Sequence, residues 1–116
     1  MSLDDFSLPT TITILSGEIA GKHIMHCLDF DLVEMAESDD EAWSRLACTV
    51  RTYVEFGLSK GWKESIRHRA PQRFWDVLKP GIPAKFRPPI LIANKSVPVI
   101  KAEEPHYEAL AATGAA

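Results

Sequence analysis

Residues 38–59 constrain this chain more than any other stretch. Ser38-Asp39-Asp40-Glu41 has the pattern of a capping box, in which the serine hydroxyl accepts from the Glu41 backbone N–H and the Glu41 carboxylate reaches back. Asp39 and Asp40 add negative charge at the positive end of the helix dipole. Downstream, Ala42, Leu46, Val50, Tyr53, Val54 and Leu58 recur at steps of three and four, one apolar stripe over about five turns. Arg45, Arg51 and Glu55 fall outside the stripe, and Gly57 and Gly61 supply the stop. A helix over 39–59 with one apolar face must lie on something apolar.

That surface is predicted upstream. Thr10 to Leu15 alternates β-branched and apolar groups, a strand of period two. Gly17 and Gly21 bracket a connection through Glu18, Ile19, Ala20 and Lys22. His23–Leu28 and Leu32–Ala36 then complete an antiparallel meander, with Asp29-Phe30-Asp31 as its corner or as a bulge in one continuous strand. Beyond Gly61, Trp62 to Arg69 reads as a short helix ended by Pro71, and Gln72 to Leu78 as another turn or two. Prolines at 83, 88, 89, 98 and 105 forbid long helix after Ile82. Ile90–Ala93 and Val97–Ile100 are short strand candidates around an Asn94-Lys95-Ser96 turn, and the last ten residues are a frayed helix or a disordered tail. The expected fold class is α+β, a meander with one long helix packed on it and short helices toward the C-terminus. The expected organisation is a domain over 1–81 and a Pro-rich extension over 82–116.

At 116 residues the chain has the size of one domain and can bury about two-thirds of its unfolded surface, so folding requires no disulfide or metal. Its two cysteines, Cys27 and Cys48, lack CxxC or Cys/His spacing; reduced, apolar packing is expected for both. The first ten residues hold Asp4 and Asp5 with no basic start and no apolar run, and no segment approaches the length of a membrane helix. The expectation is a soluble, cytoplasmic protein. The net charge of −3 conceals a split. Residues 1–41 hold ten acids and one base, whereas residues 42–101 hold twelve bases and three acids. Such a split either steers an oppositely charged partner or is neutralised within the fold or a dimer.

Cys27-Leu28-Asp29-Phe30-Asp31-Leu32-Val33-Glu34, followed by Ser38-Asp39-Asp40-Glu41-Ala42, resembles the HicB-like antitoxin family. Ser38 stands where relatives carry a capping threonine, Glu41-Ala42 match their Glu-Ala pair, and Ala70-Pro71-Gln72-Arg73-Phe74-Trp75 looks like an Ala-Pro-…-Trp segment of some relatives. The resemblance covers about residues 10–78. Ala36-Glu37 replace the glycine usual before the cap, and no helix-turn-helix or ribbon-helix-helix module is evident after Leu78. The resemblance implies a partial ribonuclease-H-like sheet, a homodimer, and neutralisation of a small basic HicA-type mRNA-cleaving toxin by occlusion.

Three site hypotheses follow. In the antitoxin reading Asp29, Asp31 and Glu34 meet the basic partner. In a nucleic-acid alternative Lys63, Arg67, Arg69 and Arg73, with Lys60 and interleaved Trp62, Phe74 and Trp75, track phosphates and stack on bases. In a third, Asp29 and Asp31 serve a metal-dependent nuclease with two divalent ions about 4 Å apart; the plainer reading is a solvated acidic turn. His23 and His26 project to opposite strand faces, and surface positions are expected for them and for His68 and His106. No GxGxxG, P-loop, GxSxG or HExxH pattern occurs, so no cofactor, no metal and no catalytic residue is expected. Of these, non-catalytic binding to a protein is the leading expectation.

Overall fold

A computed structural model describes residues 11–62, 66, 68–78 and 84–113. Strands β1 (Ile12–Ile19), β2 (Lys22–Cys27) and β3 (Leu32–Ala36) form the predicted meander, followed by helix α1 (Asp39–Ser59). A short helix α2 (Gln72–Asp76), strands β4 (Ala84–Ile92) and β5 (Lys95–Glu103) and helix α3 (Tyr107–Thr113) complete the order. The five strands make one mixed sheet in the order β3-β2-β1-β5-β4. β5 runs parallel to β1, with Ile12 opposite Val99 and Leu15 opposite Ala102, and every other pairing is antiparallel. The protein is therefore α+β, as expected. The 82–116 region supplies the strand beside β1, and its two strands are nine residues each rather than short.

Strand alternation divides the interior in two. Ile12, Ile14, Met25, Cys27, Val97 and Val99 face the α1 stripe of Ala42, Leu46, Val50 and Val54, all buried, with Phe30 and Ile90 closing this core. Leu15, Ile24, Leu28 and Ala102 face the other way, under Ala70, Phe74 and Tyr107 from α2, its approach and α3. Half of the capping box forms: the Ser38 hydroxyl accepts from Glu41 N at 3.1 Å, but the Glu41 carboxylate turns to Arg45 one turn on, at 2.6 Å, instead of reaching back. At the far end Gly61 has φ 75°, Trp62 N donates to Gly57 O and Gly61 N to Leu58 O, which is a Schellman motif. Gly61 alone is the stop. Gly57 lies inside the helix, where a Cβ would collide with the Ile66 side chain.

Three local expectations change. β1 continues through Gly17 to Ile19, and only Ala20-Gly21 turns, both in the left-handed region. The β4–β5 turn is Ala93-Asn94, at φ 48° and 68°, one step before the predicted position. Both are two-residue hairpins of the kind whose twist matches the flanking strands. Trp62 is not helical and is 51% exposed; Lys63, Glu64, Ser65 and Arg67 lie outside the described residues.

Candidate functional site

The β2–β3 corner is knit inward. Asp29 Oδ2 accepts from Thr13 N at 2.7 Å, Leu28 N donates to Thr13 O, and Ala70 N donates to Leu28 O. Burial raises the Asp29 carboxyl above its ordinary range, against the Thr13 N–H, which lowers it. Asp31, at φ 55°, turns its carboxylate back onto His26 Nε2 at 2.6 Å, with His68 Nε2 at 3.9 Å. On the other side of the imidazole, Tyr107 Oη lies 2.7 Å from His26 Nδ1. Glu34 accepts from the Thr49 hydroxyl of α1 at 2.7 Å. Asp29, Asp31 and Glu34 thus lie close in sequence, but each is bonded to a different element.

His26 corrects the expectation of a surface histidine. It is 2% exposed, with Phe74 edge-on at 4.7 Å between ring centroids. An ionised carboxylate only accepts, so Asp31 fixes the proton on Nε2 and leaves Nδ1 to accept from the tyrosine hydroxyl. Burial pulls the imidazole below its ordinary value, although the Asp31 hydrogen bond and charge pull it up. Burial likewise pushes Tyr107 up to about 12. The chain Asp31–His26–Tyr107 fastens the meander corner to α3 with every polar atom of the imidazole satisfied. His23 is half-buried, while His68 and His106 are exposed. Cys27 is buried and its thiol is pushed up to about 12, but Cys48 is exposed, contrary to the packing expected of it. Cys48 sits at the outer side of α1, two positions after the inward Leu46.

In the basic segment, Arg73 Nε donates to Leu110 O at 3.0 Å while its guanidinium lies over the Phe74 ring at 4.4 Å. It satisfies carbonyls near the end of α3, where a cation is favoured. Arg69 is exposed and stacks on Trp75 at 4.4 Å. Lys60 lies with its ammonium 5.5 Å from the Phe56 ring centroid, away from Arg69 and Arg73 in sequence, and Lys63 and Arg67 lie outside the described residues.

A second group of carboxylates gathers elsewhere, two of them tied (Asp39 to Lys101, Glu104 to His106 N) and two, Glu18 and Glu103, without a main-chain donor among the described residues. Ser16, Glu18, His23, Asp39 and Glu103, with Gly17, Glu104 and Pro105, line a cleft of about 530 Å³ where the sheet runs past the N-terminus of α1. Register explains the grouping. Glu18 pairs with His23 across β1–β2 and Ser16 with Glu103 across β1–β5, so these side chains share the α1 side of the sheet. Lys101, 6% exposed, reaches Asp39 at 3.2 Å and Glu103 at 3.9 Å beside them. Four carboxylates line the cleft, and the Lys101 ammonium pairs with two of them, which leaves it net negative. No protein-family model matches the chain, and no curated protein or solved structure matches it either. Among the described residues no group of three or more His, Cys, Asp or Glu side chains could hold a metal ion, and no helix is long and apolar enough to cross a membrane.

One pair of residues in this cleft has a local signal in the sequence. Glu18 and His23 flank the Ala20-Gly21 turn symmetrically, so a two-residue hairpin puts them opposite each other. Glu103 and Lys101 had no such signal, because their neighbour β1 lies about ninety residues earlier in the chain and only the sheet order brings them there.

Proposed function

We propose that this chain is a non-catalytic binding protein of the HicB-like antitoxin type, neutralising a small basic mRNA-cleaving toxin by covering its active face. The observation that carries the proposal is the division of carboxylates. Asp29, Asp31 and Glu34 are bonded inward to Thr13, His26 and Thr49, whereas the exposed Glu18 and Glu103 stand at an open acidic cleft that Asp39, on Lys101, and Glu104, on His106 N, also line. Converging carboxylates free to hold two metals are what a nuclease would need; a negative concave surface is what a basic protein partner needs. The meander followed by its N-capped helix is the part of the fold that supports the reading.

The same proposal takes the protein to be cytoplasmic and a homodimer; the dimer is supported by β3 and β4 being edge strands, with Val33 on β3 exposed. A dimer mass by light scattering is expected, and a monomer mass would remove that element. The functional test is co-expression with a small basic HicA-type protein encoded beside this chain's gene. The expected result is a stable complex and loss of the toxin's mRNA cleavage. RNA cleavage by the chain itself, abolished by Asp29→Asn or Asp31→Asn, would support the nuclease alternative and overturn the proposal. Tight RNA or DNA binding abolished by replacing Lys63, Arg67, Arg69 and Arg73, with no effect on the toxin, would do so in favour of a nucleic-acid regulator.

A further inference from the structure

The acidic cleft has a floor as well as walls. The alternation that turns Ile12 and Ile14 toward α1 turns Ser16 the same way, and Ser16 is 5% exposed. Its backbone carbonyl accepts from Glu104 N, but among the described residues its hydroxyl has no hydrogen-bond partner. A buried hydroxyl left unpaired is uncommon in a well-packed interior and marks a place where a guest can bond. Above it stand Glu18 and Glu103, neither with a hydrogen bond of its own to a main-chain donor. Asp39 is turned to Lys101, and Glu104 accepts from His106 N at 2.8 Å. The surroundings therefore offer acceptors, a hydroxyl at depth and excess negative charge, with room well beyond a single side chain.

We propose that this cleft receives a cationic side chain of a protein partner, an arginine guanidinium, with Glu18 and Glu103 on its N–H groups and the Ser16 hydroxyl accepting at the floor. A guanidinium suits the site because its planar fork presents several donors at once to separated acceptors. An anion is disfavoured by the four carboxylates, which Lys101 offsets only in part. The assignment rests on the protein-binding function proposed above for the identity of the partner, but not for the chemistry of the pocket.

The test uses the full chain and two probes, acetyl-arginine amide and its uncharged isostere acetyl-citrulline amide, followed by NMR of the backbone amides. Arginine should shift Ser16, Gly17, His23 and Glu103, the effect should shrink as salt rises, and citrulline should leave them unmoved. Glu18→Gln and Glu103→Gln, both at the rim, should each weaken arginine binding about two- to fivefold, the range of exposed charge pairs. Ser16→Ala should weaken it without altering the salt dependence. No shift at these residues, or equal shifts with citrulline, overturns the proposal. The two failures separate cleanly: a toxin that binds equally well to the Glu18→Gln/Glu103→Gln protein removes the cleft and keeps the antitoxin function. Arginine binding in the cleft without any toxin binding does the reverse.

Discussion

Replacing Tyr107 with Phe removes one oxygen from the buried contact of Tyr107, His26 and Phe74. The rings of Tyr107, Phe74 and His26 lie with centroids 4.7 to 6.0 Å apart, and none of these contacts needs the hydroxyl. What is lost is the bond to His26 Nδ1 at 2.7 Å. With Nε2–H already committed to Asp31, Nδ1 becomes a buried acceptor without a donor, since His26 is 2% exposed. An unsatisfied buried acceptor costs about 1–3 kcal/mol. Phenylalanine recovers part of this, because the phenol oxygen no longer has to be desolvated, so the net loss should be about 1–2 kcal/mol. For a urea slope of about 2 kcal/mol/M, the unfolding midpoint then falls by about 0.5–1 M with no change in slope. A second readout separates this bond from general loosening. The tyrosine O–H stabilises the neutral imidazole, so its loss should raise the His26 pKa, seen in the imidazole NMR titration. An unchanged midpoint together with an unchanged His26 titration would refute the reasoning.

Leu46→Ala empties a fully buried position at the middle of the α1 stripe and should cost about 2–5 kcal/mol in chemical denaturation. Gly17→Ala should release α3, because the added Cβ would collide with Tyr107 Cβ and lie 2.9 Å from Glu104 O; faster amide exchange confined to α3 and the end of β5 is the expected signature. Stability should fall as pH drops below about 6.5, because the unfolded chain protonates its histidine while burial holds the folded His26 imidazole neutral to lower pH. Asp29 acts in the opposite sense at lower pH: its raised folded value means that stability is regained as pH falls through that value toward 3.8, and Asp29→Asn should abolish that part of the urea-midpoint profile.

The helix and the meander were legible because each is written in local periodicity. Ser38 and Glu41 are three residues apart, the stripe repeats within α1, and both make their contacts close in sequence or through a continuous apolar face. The second core was not legible in the same way. Phe74, Tyr107 and Ala102 come from three separate elements, and nothing local tells that Tyr107 will sit over Gly17. The long hairpin was obscured by its prolines. Pro88 and Pro89 coincide with the irregularity between Arg87 and Ile90, on the edge strand β4, where a missing N–H need not break a ladder. Prolines that forbid helix do not forbid an edge strand with a bulge.

Carboxylates are misread from sequence for a related reason. Asp29 and Asp31 stand two apart and invite the idea of a joint site, yet the turn between them separates their directions. Asp29 reaches the start of β1, and Asp31, in the left-handed region, swings back along β2 to His26. Glu18 and Glu103 are eighty-five residues apart and invite nothing, yet parallel pairing of β5 on β1 brings their strands side by side on the same face. Charge clustered along a chain therefore says little about charge clustered in space once the sheet is mixed. The negative surface of this protein is made by strand order, so a variant that keeps Glu18 and Glu103 but breaks the β1–β5 register should lose arginine binding as completely as removal of both carboxylates.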